Sequence, residues 1–126
     1  MPKLKTVVDI IDDDPSVRTG LRRVLESYGF EARLFASARE FLAAGIPGPD
    51  TCVLIDMIMP EMDGLRLQEE LVRAGSKAPV IFITAHDDAG LRERARRSGA
   101  AGFLRKPVDA EELMEAIKGA LAGGKD

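Results

Sequence analysis

The sequence has one cysteine, one histidine, one tyrosine and no tryptophan among its 126 residues. The lone Cys52 sits in an apolar stretch, which excludes a disulfide framework and a cysteine-rich zinc site. A reducing, cytoplasmic setting is the expectation. No apolar run is long enough to span a membrane. The basic start MPKLKT is not followed by an apolar h-region, which argues against a signal peptide. Nor is there a large excess of charge. A formal net charge of −3 gives no global argument for binding nucleic acid.

What is present fits one globular domain: 45% hydrophobic residues, 31% charged, and enough length to bury a core. Five short apolar runs punctuate the chain: TVVDII (6–11), FEARLF (30–35), TCVLID (51–56), PVIFIT (79–84) and AGFLR (101–105). Their length and β-branched content predict buried strands. Amphipathic segments lie between them. Val17, Leu21, Val24, Leu25 and Tyr28 recur at helical spacing, as do Leu113, Ala116, Ile117 and Leu121. Gly29, Gly45, Gly75, Gly99 and Gly123 each follow a helical pattern and read as stop signals. Ser37 with Glu40 and Asp109 with Glu112 read as capping boxes, and Asp14-Pro15 as N-cap and first helical residue. The chain therefore reads as five strand–helix units over 5–122, with loose ends at 1–4 and 123–126. Alternation of this kind predicts an α/β fold, a doubly wound five-stranded parallel sheet of order 2-1-3-4-5. Its favoured ligand site is the crevice at the carboxyl ends of strands 1 and 3, where the winding reverses.

Asp12, Asp13 and Asp14 close the first strand and Asp56 closes the third, so these carboxylates are expected to meet at that crevice. At an effective dielectric of about 20, each like-charge pair at ~4 Å costs roughly 4 kcal/mol. Some of them must protonate or share a cation. Oxygen-only ligation by a few carboxylates suits Mg²⁺ better than Ca²⁺. Helix capping accounts well for Asp14 but poorly for Asp56, which is followed by MIMP. Thr84 ends the fourth strand, and Lys106 follows the fifth. A hydroxyl, an ammonium, a cation and a carboxylate nucleophile together suit a phosphoryl group.

The segments IIDDDPSVR, VLIDMIMPEMDGL, IFITAH and GFLRKP resemble the motifs of the receiver domain of two-component response regulators. The resemblance spans roughly residues 5–122, and ITAH and ASAREFL are similar to receivers of the nitrogen-fixation and LuxR-type regulators. It implies a flavodoxin-like (βα)5 fold. It also implies that Asp56 is the phosphoacceptor, that Asp13 binds Mg²⁺ directly, and that Asp12 does so mainly through water. The backbone carbonyl of Ile58 would supply a further ligand. Thr84 would hydrogen-bond a phosphoryl oxygen. Lys106 would pair with that group and, before transfer, with Asp56. The Lys106–Pro107 peptide would be cis. Phe103 would be the aromatic whose rotamer follows Thr84, switching the face made by helix 4, strand 5 and helix 5. The implied partners are a sensor histidine kinase, a downstream output domain or protein, and a second copy of the chain on phosphorylation. Direct nucleic-acid or membrane contact is not implied.

Other residues carry competing readings. His86, two positions after Thr84, is either a tuner of water access or an exposed loop histidine. Arg92, Arg94, Arg96 and Arg97 form a solvated face or a partner surface; the aromatic context of a nucleic-acid patch is missing. Asp9 lies inside the first strand between apolar neighbours, where an unpaired carboxylate is costly. It is expected to reach the other end of the sheet or a hydrogen-bond donor, outside any metal site. Gly20 interrupts the first helix, for close docking of a partner or for local packing. Two other functions compete with the receiver reading. A metal-dependent phosphoesterase would want a carboxylate at position 58, where Ile58 stands. A receiver-like binding module that is never phosphorylated is disfavoured by the full set of site positions.

Overall fold

A computed structural model describes residues 5–86 and 88–123. Strands and helices alternate as β1 (Val7–Ile11), α1 (Pro15–Ser27), β2 (Glu31–Phe35), α2 (Ala38–Ala43), β3 (Cys52–Asp56), α3 (Gly64–Arg73), β4 (Val80–Thr84), α4 (Ala89–Arg97), β5 (Gly102–Arg105) and α5 (Ala110–Gly123). The strands form one parallel sheet of order β2-β1-β3-β4-β5, as the alternation predicts.

The period of two along each strand divides the core between the two faces of the sheet. Val8, Ile10, Leu54, Ile81 and Ile83 pack against Leu21 and Leu25 of α1 and Leu113 and Ile117 of α5. Ile11, Val53, Ile55 and Phe82 pack against Phe41 of α2, Leu67 and Leu71 of α3, and Ala95 of α4. β3 and β4 are buried along their whole length, which explains their unbroken apolar runs. The outer strands β2 and β5 alternate or thin out in burial.

The caps follow the sequence signals. Asp14 accepts from the Ser16 N–H at 2.8 Å, Ser37 from Glu40 at 3.1 Å and Asp109 from Glu112 at 3.0 Å. Asp63 and Asp88 cap α3 and α4 in the same way, which the sequence reading did not single out. At the end of α1, Gly29 adopts φ +90°, and the next N–H, of Phe30, reaches back to the Leu25 carbonyl at 3.0 Å. Gly45, Gly75 and Gly99 also have positive φ, but Gly123 does not. It is the last residue of α5 itself, so it continues the helix where a stop was expected. The remaining expected loose ends, 1–4 and 124–126, lie outside the described residues.

Two expectations about isolated residues are resolved. Asp9 is fully buried and forms a two-pronged ion pair with Arg33, its register partner on β2, at 2.7 and 2.9 Å. The donor is thus a neighbouring strand, not the far end of the sheet. The same pairing raises the Arg33 pKa, against the opposing effect of burial. Local packing, by contrast, does not explain Gly20: a Cβ built there meets nothing within 4 Å. Among the described residues, no helix is long and apolar enough to cross a membrane.

Candidate functional site

The parallel register brings the carboxyl ends of β1, β3, β4 and β5 to one edge, and the loops leaving them carry the polar groups. Asp12 follows β1, Asp56 ends β3, Thr84 ends β4 and Lys106 follows β5. Asp12, Asp13 and Asp56 each offer a carboxylate oxygen, and these oxygens all lie within 4.8 Å of one another. Asp12 is fully buried, Asp56 is 6% exposed and Asp13 faces solvent.

Lys106 lies between two of the carboxylates. Its ammonium is 2.9 Å from Asp12 Oδ2 and 3.4 Å from Asp56 Oδ2. The expected Lys106–Asp56 pair is therefore present but is the longer arm of a shared contact. Among the described residues Asp12 Oδ2 is approached by this ammonium alone, as an ion pair rather than an aligned hydrogen bond. Asp12 Oδ1 accepts from the Asp14 N–H at 2.9 Å. The Asp12 carbonyl accepts from Arg18 of α1 at 2.6 Å, so Arg18 pins the backbone next to the carboxylate.

These contacts set the ionisation of the site. Burial, then the Asp12 charge, pushes the Asp56 carboxyl up to about 6; the Ile58 N–H and Lys106 pull in the other direction. Burial lowers the Lys106 pKa, but Asp12 and Asp56 outweigh it, and the ammonium ends above its ordinary value. The pocket thus sets one lysine ammonium among three carboxyl groups.

The loop after β3 holds Asp56 in place. The Ile58 N–H donates to Asp56 Oδ1 at 3.2 Å, and the Ile58 side chain is 52% exposed. The Met57 N–H donates to the Ile83 carbonyl, and the Gly64 N–H to the Met57 carbonyl, each at 2.9 Å. Gly64 was not singled out in the sequence, yet it is the tightest position in the site. A Cβ there would lie 2.7 Å from the Asp56 carbonyl oxygen and 2.9 Å from the Met57 Cα. Only glycine lets α3 begin directly against the strand end that carries Asp56. The DG pair at the start of a helical pattern was the available signal.

The other candidate residues are near this edge but outside the acidic cluster. Thr84 is fully buried, and its hydroxyl accepts the His86 N–H at 3.1 Å; the His86 side chain is exposed. Phe103 is half-buried at the rim of the α2–α4 core, with the Arg92 guanidinium 4.8 Å from its ring centroid. Arg96 and Arg97 both pair with the one α4 acid, Glu93, so the face of α4 stays net basic. The Lys106–Pro107 peptide is cis.

Residues 8–118 match the response regulator receiver domain family. The chain is 39% identical to nodulation protein W of Bradyrhizobium diazoefficiens over 113 residues, 90% of this chain and 50% of that protein. It is 40% identical to the transcriptional regulatory protein FixJ of Azorhizobium caulinodans over 114 residues, 90% of this chain and 54% of that one. The chain thus spans about half the length of these relatives. Among solved structures, full-length FixJ from B. japonicum superposes with a TM-score of 0.88 at 34% identity, covering 98% of this chain and 61% of that one. The crystal structure of FixJ-N gives 0.84 at 32% identity, covering 95% and 96%.

Proposed function

The chain belongs to the response regulator receiver domain family, a family of signalling switches, and on that premise we propose that Asp56 is its phosphoacceptor and that the surrounding acidic pocket holds Mg²⁺. One observation carries this reading. Asp56 is buried at a strand end with its oxygens facing Asp12 and the Lys106 ammonium.

The residues fit the ion. The donor set is all oxygen and hard, it carries excess negative charge, and the buried Asp12 Oδ2 lacks a hydrogen bond. Asp12, Asp13, Asp56 and the Ile58 carbonyl are the assigned ligands, Asp12 acting mainly through water. When bound, the ion neutralises charge on the transferring phosphoryl oxygens.

The rest of the chemistry falls to this chain's side chains. A carboxylate oxygen of Asp56 forms the new bond to phosphorus, while the phosphorus–nitrogen bond of a kinase phosphohistidine breaks and the imidazole leaves with the electron pair. Lys106 offsets the growing charge and follows the phosphoryl group away from Asp12. The Thr84 hydroxyl accepts the His86 N–H, so its own proton can be donated to a phosphoryl oxygen. Thr84 moves toward that oxygen, and Phe103 turns into the space it leaves. The equilibrium of the α4–β5–α5 face shifts accordingly.

The partners proposed are a sensor histidine kinase and an output domain or protein, with a homodimer on phosphorylation. The names of FixJ and TdiR, both transcriptional regulatory proteins, support an output in transcription. That output would act through the partner, without direct nucleic-acid contact by this domain. His86 is assigned a part in water access to the acyl phosphate. A phosphoesterase reading has no support at position 58, where the side chain is Ile58.

Acetyl phosphate with Mg²⁺ tests the proposal. Labelling confined to Asp56 and lost in Asp56→Asn is the expected result. A folded chain that neither labels nor binds beryllofluoride is instead a phosphorylation-independent binding module. Equal acyl-phosphate lifetimes in His86→Ala and the parent would remove His86 from the scheme.

A further inference from the structure

The exposed α4 residue Arg92 lays its guanidinium over the ring of Phe103, with the guanidinium carbon 4.8 Å from the ring centroid. This distance is within the range in which a ring's negative face attracts a cation. The contact joins two consecutive elements, α4 and β5, across the turn that connects them. Phe103 itself is half-buried at the rim of the core, its β4 register partner is Phe82, and it carries no polar atom. The cation therefore gives the ring's position an electrostatic handle. A ring that turns further into the core moves away from the guanidinium's present position.

We propose that Arg92 is a latch on the resting state: it holds Phe103 in its half-buried position at the rim of the core and so sets how easily phosphorylation throws the switch. Arg92 is a positioning residue that acts through Phe103 and does not touch the phosphoryl group. This inference rests on the reading of Asp56 and Phe103 given above.

The latch makes a prediction of unusual sign. A distant cation that merely attracted the anionic phosphoryl group would weaken binding when removed. A latch on the resting state does the opposite, because an equilibrium that opposes binding is relaxed. A cation–π contact at an exposed site is worth a population ratio of about two- to fivefold. Arg92→Gln is expected to raise the affinity for beryllofluoride with Mg²⁺ by up to that factor, and Arg92→Lys, which keeps a cation, by less.

The experiment is a double-mutant cycle in the whole chain: the parent, Arg92→Gln, Phe103→Leu and the double variant, titrated with beryllofluoride in excess Mg²⁺. The Phe103 ring is followed in parallel by fluorine NMR of 4-fluorophenylalanine-labelled protein, its resonance assigned by loss in Phe103→Leu. The latch is supported if Arg92→Gln tightens binding, moves the resting Phe103 resonance toward its bound position, and has no further effect once Phe103 is leucine. It is overturned if Arg92→Gln weakens binding, leaves it unchanged, or acts equally in the Phe103→Leu background. If the parent binds beryllofluoride and Asp56→Asn does not, the Asp56 reading stands whatever the cycle shows. If the parent does not bind at all, the Asp56 reading fails and the latch falls with it.

Discussion

Asp9 and Asp12 lie three positions apart in the chain, one inside β1 and one just past its end, and both are fully buried. Their surroundings differ. Both oxygens of Asp9 are taken by one guanidinium in good geometry, from a strand whose register puts Arg33 directly opposite. Asp12 has one oxygen on a backbone N–H and the other on an ammonium that it shares with Asp56. The first arrangement is complete in itself. The second is under-neutralised, and that makes it fit to accept a further cation. Burial of a carboxylate is therefore no guide to function here; the completeness of its pairing is.

This contrast can be tested by breaking each arrangement in turn. Arg33→Ala should have the largest effect, because it strands a buried charge. A loss of about 3 kcal/mol is expected, near the low end for a broken buried pair because half of the Arg33 side chain is in solvent. Urea denaturation measures it, and Mg²⁺ should not restore the loss. An unchanged midpoint would mean that Asp9 finds another partner.

Gly64→Ala comes next. Its methyl group would press on the Asp56 carbonyl and the Met57 Cα, costing about 2 kcal/mol of stability. Unlike Arg33→Ala, it should also slow labelling by acetyl phosphate, since the displaced backbone is the one that carries the nucleophile.

Asp56→Asn should do the reverse and stabilise the metal-free protein. The folded pKa of about 6 lies above the ordinary 3.8, so the folded state holds this proton where the unfolded state has lost it. Stability from this group therefore falls as pH rises between those two values and stays low above them. Removing the charge should gain about 2–3 kcal/mol at neutral pH and less than about 1 kcal/mol near pH 4. Thermal melts across that range check the sign. Mg²⁺ should stabilise the parent more than the variant.

Gly20→Ala is the smallest change and touches neither carboxylate. With open space around the added methyl, a gain of up to ~1 kcal/mol from helix propensity is expected. If that variant folds more stably but accepts phosphate from its kinase more slowly, the glycine serves docking.

The strand–helix alternation, the sheet order and the acidic edge were all legible in the sequence, because strand ends in a parallel sheet project to one side whatever the details of packing. Asp12, Asp13, Asp56, Thr84 and Lys106 could be placed from that rule alone. What could not be read were relations that depend on register and close approach. Arg33 is 24 residues from Asp9, and only the alignment of β1 with β2 makes them neighbours. The preference of Lys106 for Asp12 over Asp56 is a matter of half an ångström. The tightness at Gly64 arises where α3 meets β3, and Arg92 reaches Phe103 only because α4 packs on β5. Gly123 was misplaced for a simpler reason: a glycine near a chain end can extend a helix as well as stop it.

The Asp9–Arg33 pair also bears on how the molecule meets its own copies. β2 is an outer strand with one side unpaired, an open template on which another chain could add a strand. Along it, Glu31 and the tethered Arg33 place fixed charge at the margin. An incoming strand would have to dock against a guanidinium that its buried partner will not release. That protects this edge of the sheet against strand-to-strand aggregation.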